Sequence, residues 1–163
     1  MIYFCADDYG ISDDSNDRIE ECLTDGALNK VSVLPNGKLD DFKRRLTEKN
    51  AHLSLHLNLV DGRPTVDGLD LLTTKDGYFK NSFVGLFLLS LSPKRKKLQD
   101  QLYKEIKNQL HFWHEKMGQE QVFIDSHQHT HMIPLVFKTL LCAIEDEKLS
   151  VKALRFPAEP LMP

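Results

Sequence analysis

The chain has 163 residues, of which 41% are hydrophobic and 28% charged, and its net charge is −3. That length allows one domain with a substantial core and is short for two. The composition is that of a soluble globular protein, and the charge gives no electrostatic footprint for nucleic acid, so we expect no nucleic-acid partner.

Cysteine usage and the N-terminus indicate the compartment. Cys5, Cys22 and Cys142 are far apart and form no CxxC pair, so we expect neither a disulfide framework nor a thiolate zinc site. The chain opens on an apolar segment without a charged leader, and its longest apolar run, 84–91, is too short to span a bilayer. The sequence therefore predicts a cytoplasmic protein with no membrane partner.

Hydrophobic periodicity predicts strands that alternate with helices. Strands are predicted over residues 2–6, 30–34, 51–59, 122–125 and 151–156. Helices are predicted between residues 12 and 26, over 40–49 and 93–117, and from Pro134 onward. This order favours parallel pairing and predicts an α/β fold, namely a partial or deformed (β/α) barrel of about five βα units. We expect one domain over residues 1–163.

The third predicted strand has the clearest alternation in the chain. One face carries Ala51, Leu53, Leu55, Leu57 and Leu59, and the other carries His52, Ser54, His56 and Asn58. In a barrel the leucines would meet the helices, and the polar face would point into the centre.

The region 60–93 is long and irregular and is predicted to be an insertion loop, a kind of segment that is often functional. Its apolar tail, 83–91, is consistent with a short core helix and equally with a segment that covers substrate or forms a dimer.

Metal-ligating side chains follow three of the predicted strands. Asp7 and Asp8 follow the first strand, and His56 lies near the end of the third. Asp125, His127, His129 and His131 stand at every second position after the fourth, where an extended chain would place them on one side. Parallel sheets bind ligands at the carboxyl ends of their strands, so these segments are expected to meet at one rim.

One aspartate and two histidines can hold a catalytic metal and leave a position open. Of Asp7 and Asp8, one could then hold the metal while the other takes a proton from the activated water. Alternatively, Asp8 could belong only to a turn that precedes a helix cap. Two imidazoles favour zinc or another late transition metal, whereas magnesium prefers oxygen ligands.

Four segments together resemble the motifs of the YdjC-type carbohydrate deacetylases, also called chitooligosaccharide deacetylase-like proteins. They read ADDYGIS at 6–12, VLPNG at 33–37, SLHLNL at 54–59 and DSHQHTHMIP at 125–134. The resemblance implies a barrel-like fold and hydrolysis of N-acetyl groups on amino sugars or chitooligosaccharides with a divalent metal ion, Mg²⁺ or Zn²⁺.

The resemblance also implies a role for each matching residue. Asp8, His56 and His127 correspond to the metal ligands, and Asp7 to the catalytic base. One of His129 and His131 would polarise the carbonyl or protonate the leaving amine. Asp125 and Asn58 are expected to support the ligands from behind.

Members of that family continue beyond the length of this sequence, with further strands and another histidine motif. The chain is therefore expected to be shortened at its C-terminus or to be completed by a partner, and a homodimer is one way to do so. Two other functions stay open: an inactive copy that acts as a sugar-binding or dimerisation module, and a non-haem iron oxygenase, which uses similar ligands.

Overall fold

The computed structural model describes residues 2–118 and 121–157 and has an α/β fold built on one sheet. The strands are β1 (Cys5–Tyr9), β2 (Lys30–Val33), β3 (His52–Leu57), β4 (Gln121–Ser126) and β5 (Ser150–Leu154). The helices are α1 (Asp13–Thr24), α2 (Phe42–Thr47), α3 (Phe83–Ser90), α4 (Arg95–Met117) and α5 (Pro134–Asp146). No helix of the described ranges is long and apolar enough to cross a membrane.

The strand order in the sheet equals the order along the chain, and every neighbouring pair is parallel. Each connection therefore returns the chain to the same end of the sheet, as in a (β/α) barrel. Five strands leave the sheet open, and the predicted fold class, a partial barrel, is confirmed. All five carboxyl ends point to one rim.

Both faces of β3 are buried, as befits a central parallel strand. Its leucines pack in one core with the apolar side chains of α4, among them Leu102, Ile106 and Leu110. The opposite face carries Ser54 and His56, which are 0% and 3% exposed. The polar face is therefore inside the molecule, where each of its groups needs a hydrogen-bond partner.

The prediction for the first strand is wrong in its boundaries. The apolar residues Ile2 and Phe4 are 75% and 61% exposed, and β1 begins at Cys5 and extends to Tyr9. Pairing with β2 sets this position, because Cys5 lies opposite Lys30 and Tyr9 opposite Val33. Asp7 and Asp8 consequently lie within the strand and not beyond it.

Part of the region 60–93 forms a helix, α3. Within α3 only Leu86 and Ser90 are buried, whereas Val84 and Leu88 are 61% and 60% exposed. Such exposure does not fit a core helix. The alternative interpretation, a segment that covers substrate or forms a dimer, stays a prediction.

The loop that precedes α3 is fixed to a polar stripe on α4. Gln101, Glu105 and Gln109 are four residues apart and share one helix face. The Glu105 carboxylate, 0% exposed, accepts hydrogen bonds from the backbone N–H groups of Thr65 and Val66 and from the Gln109 amide. Burial raises the pKa of Glu105, and these donors offset part of that effect.

Replacement of Glu105 by alanine should detach this loop. The change leaves the half-buried N–H groups of Thr65 and Val66 without an acceptor and a cavity where the carboxylate stood, so we expect the free energy of unfolding to fall by about 2 kcal/mol. Urea denaturation measures the change. Glu115→Ala, on an exposed position of the same helix, is the control and should change it by less than about 0.5 kcal/mol. Equal stability of the two variants would contradict the assignment.

Candidate metal centre

A β-bulge in β1 brings two adjacent carboxylates to the same rim. The pairing of β1 with β2 shifts register between Ala6 and Tyr9, and Asp8 has φ of 68°. In a regular strand Asp7 and Asp8 would point to opposite faces. A bulge re-aims side chains in this way, and aspartate tolerates the left-handed conformation better than most residues.

Three of the predicted residues converge at the rim. The Oδ1 atom of Asp8 lies 3.0 Å from Nε2 of His56 and 2.7 Å from Nδ1 of His127. One ligand atom from each residue lies within 4.8 Å of the other two. These side chains come from β1, β3 and the segment directly after β4.

Asp125 supports this group from behind. Its Oδ1 atom lies 2.6 Å from Nδ1 of His56, the ring nitrogen that faces away from Asp8. Its Oδ2 atom accepts a hydrogen bond of 2.6 Å from the Ser32 hydroxyl, which in turn meets the Ser54 hydroxyl at 2.8 Å. Asp125 is 1% exposed, so these contacts replace its water shell.

The close contacts shift three pKa values. Hydrogen bonds from His127 and His56 hold the pKa of Asp8 well below its usual range. Burial opposes the charged form of His56, but the adjacent Asp125 and Asp8 carboxylates outweigh it and raise the pKa of His56 to about 9. Burial would also raise the pKa of Asp125, yet its contact with His56 keeps that pKa below the ordinary value. Without metal, His56 is therefore protonated at neutral pH.

The prediction that four side chains share one face after β4 is wrong. The strand ends at Ser126, and residues His127–Met132 form a 3₁₀ segment in which Gln128 and His129 have φ of 50° and 53°. The period-two argument holds only for an extended chain. It therefore fails beyond His127.

His129 and His131 occupy different environments as a result. The His131 ring is 1% exposed, and its two nitrogens meet the Ser126 hydroxyl and the carbonyl oxygen of Arg155. Burial lowers the pKa of His131, which favours the neutral ring. The Nδ1 atom of His129 is buried and has no hydrogen-bond partner within residues 2–118 and 121–157.

Asn58 lies in the loop after β3 and organises that loop. Its side chain accepts from the N–H groups of Val60 and Asp61 and donates to the Asn36 amide oxygen. None of its hydrogen bonds to the described part of the chain reaches the three ligands. Its predicted support of the metal ligands stays a prediction.

Arg155 was not among the residues that the sequence pointed to. Its guanidinium Nη1 lies 2.8 Å and 2.9 Å from the two carboxylate oxygens of Asp7 and 3.6 Å from Oδ2 of Asp125. The residue directly follows β5, at the same rim as the other strand ends. Its position near a strand end was the available signal, but a guanidinium does not bind metal ions and so does not stand out in a pattern of carboxylates and imidazoles.

The donor set fits a divalent ion. Two imidazole nitrogens and one carboxylate oxygen are the ligands of many catalytic centres, and the far nitrogen of a ligating histidine usually bonds to a carboxylate, as His56 does to Asp125. Asp8, His56 and His127 would hold the ion. Asp7 precedes Asp8 in β1, is engaged by Arg155, and has an oxygen within 4.8 Å of an oxygen of Asp125.

Fold and centre together define an α/β protein with a carboxylate–imidazole site at the carboxyl ends of a parallel sheet. A model of the YdjC-like protein family matches residues 1–162, and the chain belongs to the YdjC-like family. The resemblance drawn from the four motifs is thereby confirmed.

A solved structure shares the fold. It is a protein from Enterococcus faecalis V583 described as a "putative cellobiose-phosphate cleavage protein", with a TM-score of 0.70 and 20% sequence identity. The match covers 96% of this chain and 59% of that protein. This chain thus spans well under two thirds of that relative.

Metal binding should release a proton. Because a ligating imidazole must be neutral and the pKa of His56 is about 9, an ion that binds at pH 7 should displace close to one proton from His56. Calorimetric titration with Zn²⁺ in buffers of different ionisation enthalpy measures the number of protons released for each ion that binds. His56→Ala should abolish tight binding, whereas His52→Ala, at an exposed position of the same strand, should bind like the parent. Tight binding by His56→Ala would refute the ligand set.

The metal-free protein should lose stability as the pH rises. The pKa of folded His56 lies above the ordinary value of 6.5, so its contribution is complete below pH 6.5 and disappears as the pH passes about 9. The stability difference between the parent and His56→Gln should shrink across this window by at most about 3 kcal/mol. Urea denaturation in the presence of a chelator measures it, and a constant difference would contradict the shift.

Proposed function

We propose that the chain is a metal-dependent hydrolase that removes N-acetyl groups from amino sugars or chitooligosaccharides. The observation that carries the proposal is the convergence of Asp8, His56 and His127 beside Asp7, in a chain of the YdjC-like family. The reaction adds water to the acetamide carbonyl, breaks the C–N bond and yields acetate and a free amine.

A divalent ion, when bound, would supply Lewis acidity: it lowers the pKa of water and stabilises negative charge on the amide oxygen. The two imidazoles favour Zn²⁺ or a similar transition ion over Mg²⁺. The protein's part is to fix the ligands, and the contact between His56 and Asp125 serves this purpose because it leaves Nε2 of His56 directed toward Asp8.

Asp7 is the proposed proton acceptor. It neighbours the ligand Asp8 in sequence, the bulge turns both toward the rim, and its side chain is 33% exposed, so water and substrate can reach it. The attacking water would give its proton to the Asp7 carboxylate while its oxygen bonds to the acetamide carbon.

The leaving amine also needs a proton. Both nitrogens of the His131 ring are engaged, so donation from His131 would break a buried hydrogen bond. His129 has a ring nitrogen without a partner in the described chain and is the better candidate donor. This assigns the two histidines of the motif different roles.

A cleft at the same rim offers space for a sugar ring, and it is lined by residues that follow three of the strands and not by the proposed ligands themselves. Its volume is about 250 Å³, and its lining includes Gly10, Asn36, Lys38, Asn58 and Asp61, which follow β1, β2 and β3. The polar lining suits hydroxyl groups, which need both donors and acceptors. An acetylated amino sugar is the substrate class that we propose for it.

Acetate release tests the function. Metal-stripped protein is mixed with diacetylchitobiose or N-acetylglucosamine, and Zn²⁺, Mg²⁺, Mn²⁺ or Co²⁺ is restored singly. We expect acetate with at least one ion. Asp7→Asn should lower kcat about 1,000-fold, because the proton acceptor is lost. Asp14→Asn, on an exposed position of α1, should retain the parent's rate.

Two outcomes would decide against this proposal. A folded, metal-loaded protein that binds these sugars without acetate release would support the sugar-binding module. Oxygen consumption with ferrous iron and a 2-oxoacid would instead support an oxygenase that uses the same ligands.

A further inference from the structure

One guanidinium nitrogen of Arg155 contacts two carboxylates near the candidate metal centre. The Nη1 atom contacts both oxygens of Asp7 and stands 3.6 Å from Oδ2 of Asp125. Asp125 in turn holds the ligand His56 through its other oxygen. The charges therefore alternate in sign from Asp7, the proposed proton acceptor, through Arg155 and Asp125 to His56, one of the three proposed metal ligands.

The two carboxylates need this cation because they lie close together. One oxygen of Asp7 and one of Asp125 are within 4.8 Å of each other, and Asp125 is 1% exposed. Two like charges at that distance with little intervening water repel strongly, so Asp7 would turn away without a positive charge between them. Solvent reaches the Asp7 side of this pair but not Asp125, which is 1% exposed, so water cannot screen the pair fully.

The backbone of Arg155 is fixed at the same place. Its N–H donates to the carbonyl oxygen of Ile124 at 3.0 Å, and its own carbonyl oxygen lies 3.0 Å from Nε2 of the buried His131 ring. The arginine is thus held to β4 on one side and to the histidine segment on the other. Because its backbone is fixed on both sides, Arg155 can use its guanidinium group to determine the position of the Asp7 carboxylate.

We propose that Arg155 is a positioning residue that holds Asp7 against Asp125 and keeps it directed at the metal centre. Its catalytic consequence rests on the proposed deacetylase function, whereas its effect on the charge of the centre does not. The inference also gives His131 a role, namely to anchor the carbonyl oxygen of Arg155.

Arg155→Ala and Arg155→Lys test the proposal by two readouts. In calorimetric titration with Zn²⁺ alone, Arg155→Ala should bind about tenfold more tightly than the parent, because Asp125 and Asp7 lose their counter-charge beside His56. In the acetate assay its kcat should fall about 100-fold because Asp7 is misplaced, and added guanidinium ion should restore part of the rate. The zinc affinity and the kcat of Arg155→Lys should both lie between those of the parent and those of Arg155→Ala.

Lys152→Ala is the matched control, since it removes a positive charge from an exposed position of β5, the strand that directly precedes Arg155. It should equal the parent in zinc affinity and in kcat. Should Arg155→Ala fail to fold, by circular dichroism, the same comparison is made with Arg155→Lys.

The outcomes separate this inference from the proposed function. Folded Arg155 variants with the parent's zinc affinity would overturn the inference, and so would a parent-like kcat in an active enzyme. If the parent releases no acetate but Arg155→Ala shows the shift in zinc affinity, the deacetylase proposal fails and the placement of Arg155 stands.

Discussion

The hydrogen bond between the Asp125 carboxylate and the His56 ring is the interaction on which the centre depends. A buried ionised carboxylate costs several kcal/mol unless its oxygens are paired. Asp125 meets this requirement with His56 on one oxygen and Ser32 on the other. Because those partners come from β3 and β2, the pairing ties the position of a candidate metal ligand to the register of the sheet.

A second buried carboxylate performs a similar task away from the centre. Glu105 collects the N–H groups of the loop before α3, as Asp125 collects the groups around His56. In both places a side chain supplies the hydrogen bonds that irregular or inward-facing segments cannot make among themselves. The sheet and the loop are thus organised by charges that face inward, while the leucines fill the remaining space.

The alternation of strands with helices, their parallel pairing and three of the residues that meet at the rim could be predicted, since they follow from hydrophobic period and from the rule that parallel strands end at one edge. Asp8, His56 and His127 were found because residue type and strand end coincide. The 3₁₀ segment His127–Met132 was not predicted, because alternating histidines do not indicate that the chain leaves the extended conformation after Ser126. The bulge at Asp8 and the contacts of Arg155 were also missed, since both depend on pairing between distant segments.

The same triad could serve an oxygenase, so the ligands by themselves do not select a reaction. The residues that surround Asp8, His56 and His127 give more information about the reaction. The proposed hydrolase needs a proton acceptor that does not itself bind the ion, and Asp7 fits that proposed role because Arg155 engages both of its oxygens. All of these groups come from the five strands of one open sheet or from the residues directly after them. The centre therefore requires adjacent strands in the correct register.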